Sequence, residues 1–175
     1  MQTKYTYNSA GNPTSSTLTN SSESMAIKTD TGYKGSLTNN NVTVNAGSYV
    51  ADTSDEHGNK TYYYYNILKD LTLGFKNVLG VFTQYVYDDD TEQLKTVKTY
   101  KTDENGKNVA LSSPVNYTYS GSKLSTINYG SDTYSFTYDS FGNVLSTKVG
   151  EKPLSTNTYG ANNGVSSIRG RFCDW

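Results

Sequence analysis

Phe136-Thr137-Tyr138-Asp139-Ser140-Phe141-Gly142-Asn143 reads as an aromatic, a spacer, a tyrosine, an acidic residue and then a Gly-Asn turn. Alternation over residues 133–138 places Tyr134, Phe136 and Tyr138 on one face of a strand. Residues 143–149 resume the alternation after the turn, which predicts an antiparallel hairpin with a glycine-containing loop. The same phrase opens the chain as Tyr5-Thr6-Tyr7-Asn8-Ser9-Ala10-Gly11-Asn12. Weaker copies stand at Tyr63-Tyr64-Tyr65-Asn66, Tyr85-Val86-Tyr87-Asp88 and Tyr117-Thr118-Tyr119-Ser120-Gly121, with a relic at Tyr159-Gly160-Ala161-Asn162-Asn163-Gly164. Counted from the second aromatic, Tyr65 to Tyr87 is 22 residues, Tyr119 to Tyr138 is 19 and Tyr138 to Tyr159 is 21. A nearly fixed period of this length identifies a repeat architecture. The longer gaps, Tyr7 to Tyr65 and Tyr87 to Tyr119, are read as places where copies decayed or took insertions.

Composition favours strands over a thick interior. Of the 175 residues only 34% are hydrophobic, and 17 of those are tyrosines whose hydroxyls need water or a partner. Such a chain suits a thin, extended layer in which tyrosine rings supply apolar area and keep a polar edge. Aromatics at 13% and a net charge of −1 argue against disorder. Thr, Ser, Tyr and Val dominate the segments, while Asn, Gly, Asp and Ser fill the gaps as turn formers. The balance of 15 basic and 16 acidic residues gives no electrostatic case for nucleic acid. No segment approaches the roughly 18 apolar residues of a membrane span, and the start of the chain lacks the apolar run of a signal peptide. The single cysteine, Cys173, excludes an internal disulfide or a CxxC site.

Further hairpins follow from the same grammar. Residues 123–129 meet 134–138 across Gly130-Ser131-Asp132, a short loop suited to a bulge. Residues 47–54 and 60–66 flank Asp55-Glu56-His57-Gly58-Asn59, where Gly58 and Asn59 supply the positive φ of a tight turn. Asp103-Glu104-Asn105-Gly106-Lys107 repeats that turn between less regular flanks. Residues 67–83 are the most apolar stretch but hold no 3.6 period and are interrupted by Gly74 and Gly80, so they predict strands with one helical turn near 67–70. The polar runs 14–24 and 38–45 read as long loops or frayed strand ends.

The phrase Tyr-x-Tyr-Asp-x-x-Gly-Asn resembles the hallmark of the RHS or YD-repeat family, which includes bacterial wall-associated proteins, polymorphic toxins and the teneurins. The likeness is fullest at Phe136, Tyr138, Asp139, Gly142 and Asn143, and holds with Asn for Asp at Tyr5, Tyr7, Gly11 and Asn12. Gly58 and Asn59 followed by Tyr63 and Tyr65 resemble the inter-repeat turn and its tyrosine strand. Tyr85, Tyr87 and Asp88, then Tyr117 and Tyr119, complete a set of repeat-motif residues spread over residues 4–168. The chain departs from the family in lacking the turn glycine after Asn66. The family's Asp-Pro-x-Gly-Asn lead-in appears only as Asn77-Val78-Leu79-Gly80-Val81, which puts local hairpin geometry in question there. The resemblance implies an all-β fold: an extended antiparallel sheet of repeated hairpins forming a partial, open segment of a shell. It further implies a non-catalytic structural role in a secreted or cell-surface bacterial protein, with a C-terminal toxin or effector as cargo. The partners implied are neighbouring repeats of the same parent chain, and the open terminal strands invite self-association.

The catalytic inventory is nearly empty, and no cofactor or metal site is assigned. His57, the only histidine, sits in an exposed turn near Asp52, Asp55 and Glu56. Asp88-Asp89-Asp90 with Glu92 is acidic but lacks the spacing of a calcium loop. Exposed tyrosines flanked by Asn, Asp and Thr make carbohydrate binding at a cell surface the runner-up function. The alternative use of those rings is cross-strand pairing, worth roughly 0.2–1 kcal/mol each. Sequons at Asn20, Asn41 and Asn116 are expected by chance in so Asn/Ser/Thr-rich a chain. Residues 169–175 hold both arginines, the cysteine and the only tryptophan, and break off the strand begun at 165–168. They read as an anomalous tail of a truncated or frame-broken segment.

Overall fold

In the computed structural model, residues 1–20, 26–39 and 42–170 are described. Among them there is no helix. Seventeen strands follow one another: β1 Gln2–Tyr7, β2 Pro13–Thr19, β3 Ala26–Tyr33, β4 Leu37–Asn39, β5 Val42–Val44, β6 Val50–Asp55, β7 Lys60–Asn66, β8 Leu71–Lys76 and β9 Val81–Tyr87; then β10 Leu94–Thr102, β11 Asn108–Ala110, β12 Val115–Ser120, β13 Lys123–Tyr129, β14 Asp132–Tyr138, β15 Val144–Val149, β16 Lys152–Tyr159 and β17 Val165–Gly170. Fifteen make one sheet in the order β1-β2-β3-β6-β7-β8-β9-β10-β12-β13-β14-β15-β16-β17, with β11 beside β10, and β4-β5 forms a separate hairpin. Strand order therefore follows chain order, as short hairpin connections dictate. The sheet does not close, and β1 and β17 end its order. The fold is all-β and open.

The chain divides into two compact units. Met1–Tyr85 with Thr99–Leu111 forms the first, and Val86–Lys98 with the chain from Ser112 onward forms the second. Neither has an aliphatic core: no described hydrophobic side chain is buried, and Gly74 is the one described residue classed as buried. Most strand residues are half-exposed, so stability rests on backbone ladders, cross-strand pairs and turns.

Several expectations need correction. Of the run 14–24, residues 14–19 belong to strand β2, Pro13–Thr19, paired with β1 from Gln2↔Thr19 to Tyr7↔Pro13. A Thr/Ser-rich run lacks apolar alternation, yet β-branched threonine fits a pleated surface that is solvated on both sides. Residues 38–45 contain the β4–β5 hairpin, with Leu37↔Val44 and Asn39↔Val42. Residues 67–70 form a hairpin turn rather than a helical one, with Asp70 at φ 52°. The loop between β13 and β14 is only Gly130-Ser131, since Tyr129 pairs with Asp132. Gly130 has φ 59°, as the first central position of a type II′ turn requires. The last strand continues through Arg169 and Gly170. Residues 171–175, and the sequon residues Ser21, Ser22 and Asn41, lie outside the described residues.

Candidate functional site

The feature that recurs along the chain is a five-residue turn closed by the side chain of its first residue. In the last full copy, Asp139 Oδ1 accepts the backbone N–H groups of Phe141 and Asn143, both at 2.9 Å. The Asn143 amide donates to Oδ2, also at 2.9 Å. Backbone bonds from Asp139 N–H to Asn143 C=O and from Gly142 N–H to Asp139 C=O complete the turn. Gly142 supplies φ 93°, a left-handed position that any Cβ would strain.

Asp55 repeats this bonding with His57, Asn59 and the Asn59 amide. Asn8, Asn77 and Asp103 do so with the backbone N–H groups two and four residues on. Asn77 was the departure that put geometry in question, yet its turn has the same backbone closure. A carboxylate or amide oxygen serves equally, because both accept two N–H groups. At residues 160–164 the backbone closure persists with Gly160 in the first slot and Asn163, at φ 59°, in the glycine slot. Where the glycine is missing, the turns of Asn66 and Asp88 are one residue longer and place Asp70 and Glu92 at φ 52° and 57°.

Immediately before the second tyrosine of a copy, the pairing slips by one residue. Such bulges precede Tyr7, Tyr33, Tyr65, Tyr119, Tyr138 and Tyr159. In each case the extra residue lies on the facing strand, which a bulge bends and twists locally. In four copies the tyrosine opposite the bulge donates its hydroxyl to a backbone carbonyl: Tyr33 to Pro13 at 2.8 Å, Tyr119 to Leu94 at 2.9 Å, Tyr138 to Leu124 at 2.8 Å and Tyr159 to Val144 at 2.8 Å. Each acceptor is at or next to the first residue of the preceding sheet strand. The second tyrosine therefore clasps its own copy to the exit of the previous turn. Partial burial raises the pKa of Tyr119.

The spacer of the phrase has a role that sequence reading missed. Thr6, Thr118, Thr137 and Thr158 face Ser15, Thr126, Ser146 and Ser167 directly across the ladder. Their hydroxyls are hydrogen-bonded at 2.7, 2.7, 2.7 and 2.9 Å. The signal was present, since all four copies carry threonine there and a hydroxyl residue on the next strand. Tyr33 was missed as well. Gly32 replaces the threonine and the β4–β5 excursion replaces the turn, so only its bulge and hydroxyl bond reveal the copy.

The tyrosines of the first unit use ring contacts as well as hydroxyls. Tyr63 tilts against Phe75 at 6.4 Å between centroids, Tyr64 meets Phe82 edge-on at 5.2 Å, and Phe82 meets Tyr100 at 5.2 Å. Tyr65 stacks on Tyr49 at 4.6 Å, and the Tyr49 hydroxyl donates to Asp70 at 2.6 Å, which raises its pKa. Tyr85 and Tyr87 lie on β9 and Tyr117 on β12, while Tyr5 and Tyr7 of β1 are exposed.

The residues weighed for chemistry do not converge on a reactive centre. His57 is exposed, with Nδ1 3.9 Å from Glu56 Oε1. Asp88 Oδ1 accepts from Asp90 N–H, Thr91 N–H and the Thr91 hydroxyl, so it closes a turn. Asn116 sits in β12 and its Oδ1 accepts from the Thr96 hydroxyl at 3.1 Å. No group of three metal-ligating side chains occurs among the described residues.

The turn bonds hold three carboxylates below the ordinary aspartate range, Asp55 chiefly through the Asn59 amide, Asp88 chiefly through the Thr91 backbone N–H and Asp139 chiefly through the Asn143 amide. A depressed folded pKa contributes stability that is complete above the unfolded value, about pH 4, and is lost as pH falls through the lower folded value. The thermal midpoint should therefore drop on acidification below about pH 4. The Asp55→Asn/Asp139→Asn variant should show a flatter profile, because Asn8 and Asn77 hold the same turn uncharged. Parallel profiles, measured by circular dichroism melts between pH 2 and 7, would refute this.

No family model matches the sequence, and no curated protein matches it. Solved structures do. A crystal structure of TcdB2-TccC3 superposes with TM-score 0.53 at 13% identity, over 98% of this chain and 12% of that one. TcdB2-TccC3-TEV gives 0.52 at 13% identity, over 97% and 11%. The Photorhabdus luminescens Tc holotoxin pore carrying a TccC3 substitution gives 0.51 at 13%, over 95% and 11%. The chain thus spans about a ninth of the length of these neighbours, which are RHS-repeat shell proteins. With its tyrosine phrase, bulge and closed turn recurring along a single open antiparallel sheet, the chain has the RHS-repeat fold.

Proposed function

We propose that this chain is a non-catalytic structural segment of a larger RHS-type protein, contributing strands to a shell wall that encloses or displays a C-terminal toxin or effector. The observation that carries the reading is the clasp between successive copies. In four copies the second tyrosine anchors to the exit of the preceding turn, so the device ties neighbouring hairpins into a wall. A secreted or cell-surface setting accompanies this role. The wall's partners are further repeats of the same parent chain, which would pair with β1 and β17.

Enclosure is testable in the parent protein. Protease should spare the C-terminal domain while the wall is intact and digest it once the segment corresponding to residues 1–170 is deleted. Equal digestion of both forms would refute enclosure. The terminal strands make a separate prediction for the isolated chain. Unpaired backbone on β1 and β17 should drive concentration-dependent association in sedimentation velocity, and lysines at alternate β17 positions, Ser167→Lys and Arg169→Lys with Val165→Lys, should weaken it. A monodisperse monomer at high concentration would contradict this.

A further inference from the structure

The first unit carries a cleft of about 610 Å3 between the turns at 55–59 and 77–81. Its lining includes Asn59, Lys60, Tyr62, Tyr64, Lys76 and Asn77, with no carboxylate. Tyr62 and Tyr64 are 45% and 40% exposed, which leaves ring surface open to a flat ligand. Lys34 Nζ lies 6.0 Å from the centroid of the Tyr64 ring. The stems of Lys101 and Lys76 meet beside Gly80, their Cε atoms 3.8 and 3.9 Å from where a Cβ on that glycine would stand. Lys60 is neutralised by Asp52 at 2.8 Å. Lys34, Lys76 and Lys101 have no carboxylate partner among the described residues. Asn77 spends its Oδ1 on Leu79 and Val81. Its fifth turn residue is Val81, where the Asp55 and Asp139 turns have an asparagine. The Asn77 amide N–H groups therefore have no partner among the described residues.

We propose that this cleft binds a carboxylated sugar, with Tyr62 as the stacking platform, Lys76 and Lys101 as the cations for the carboxylate, and Asn77 as a hydroxyl-binding amide. The site stands independently of the shell reading, because nothing in wall building requires a carboxylate-free cleft with unpaired lysines. Aromatic rings beside amides fit the apolar face and hydroxyl rim of a pyranose. Unpaired ammonium groups select a carboxylate over a neutral sugar by charge-assisted hydrogen bonds. A polynucleotide needs phosphate contacts along an extended basic track, whereas the chain's net charge is −1.

Trigalacturonate, a neutral trisaccharide of the same length and a short single-stranded oligonucleotide should be titrated into the full chain by calorimetry. Trigalacturonate should bind saturably, more weakly at higher salt, and the neutral sugar should not. Lys76→Gln/Lys101→Gln and Tyr62→Ala should each weaken binding by about tenfold or more. The lysine pair is exposed, so its variant keeps the sheet, which a circular dichroism melt would verify. Absence of saturable uronate binding at millimolar concentration would overturn the proposal. So would equal binding of the neutral sugar, tighter binding of the oligonucleotide, or unchanged binding by the lysine variant.

Discussion

Replacing Gly74 with alanine should destabilise the β7–β8–β9 region by about 3 kcal/mol or more, the largest effect expected of any single methyl group in this chain. Gly74 sits in β8 opposite Tyr64 on one side and Gln84 on the other. Its φ is 147°, and a Cβ built there would stand 2.1 Å from the Thr83 carbonyl oxygen. That atom is backbone, so no side-chain rotation relieves the overlap. The ladder to β9 must open. Gly58→Ala is the control: its φ is 78° but nothing lies within 4 Å of the added carbon. Only the conformational cost applies there, about 1 kcal/mol. Urea unfolding of the two variants should separate them clearly. Equal midpoints would mean that β8 and β9 do not approach as described.

Tyr138→Ala should follow in magnitude, at about 2 kcal/mol, and the loss should divide into two steps. Tyr138→Phe removes only the hydroxyl that donates to Leu124 C=O at 2.8 Å, a net loss of about 1 kcal/mol. The remainder belongs to the half-buried ring, over which Lys123 Nζ sits 5.6 Å from the centroid. Amide exchange provides the sharper readout. Protection in β13 near Leu124 should fall in Tyr138→Phe, whereas Phe136→Leu on the same strand should leave it in place. If Tyr138→Phe matches the wild type in both stability and exchange, the clasp is not what joins successive copies.

These two positions show how legibility divides. The phrase around Tyr138 is repeated, so its strands, turns and family likeness could be read directly. Turns were legible because Asp139 and Gly142 occupy chemically distinct slots, an acceptor followed by a residue that tolerates positive φ. Clasps and bulges were not, since a bulge changes register without any requirement on residue type beyond room for one more. The bulged residues include Thr14, Ser125 and Leu145. Strand β2 was hidden for a related reason: unlike β7 and β12, whose residues alternate between exposed and half-buried, Thr14 to Thr19 are all half-buried and alternate in neither polarity nor exposure. The cleft beside Tyr62 was invisible as well. Lys34, Lys76 and Lys101 are far apart in sequence, and only the folded backbone gathers their charges around the tyrosines.

The recurring bulge has a consequence for register. Sheets are ordinarily kept in register by a hydrophobic face that a one-residue slip would turn toward water. Among the described residues this sheet has no fully buried face, and its aromatic side is only half-buried. Its register is held by local notches: an extra residue on the strand facing the second tyrosine in six copies, a hydroxyl that in four copies reaches one particular carbonyl, and a turn of set length. Because the notches act between neighbouring strands, alignment errors stay local and need not accumulate along the sheet. A whole hairpin with its notch can be added, removed or exchanged without redesigning distant residues, which makes the length of such a wall a freely adjustable trait.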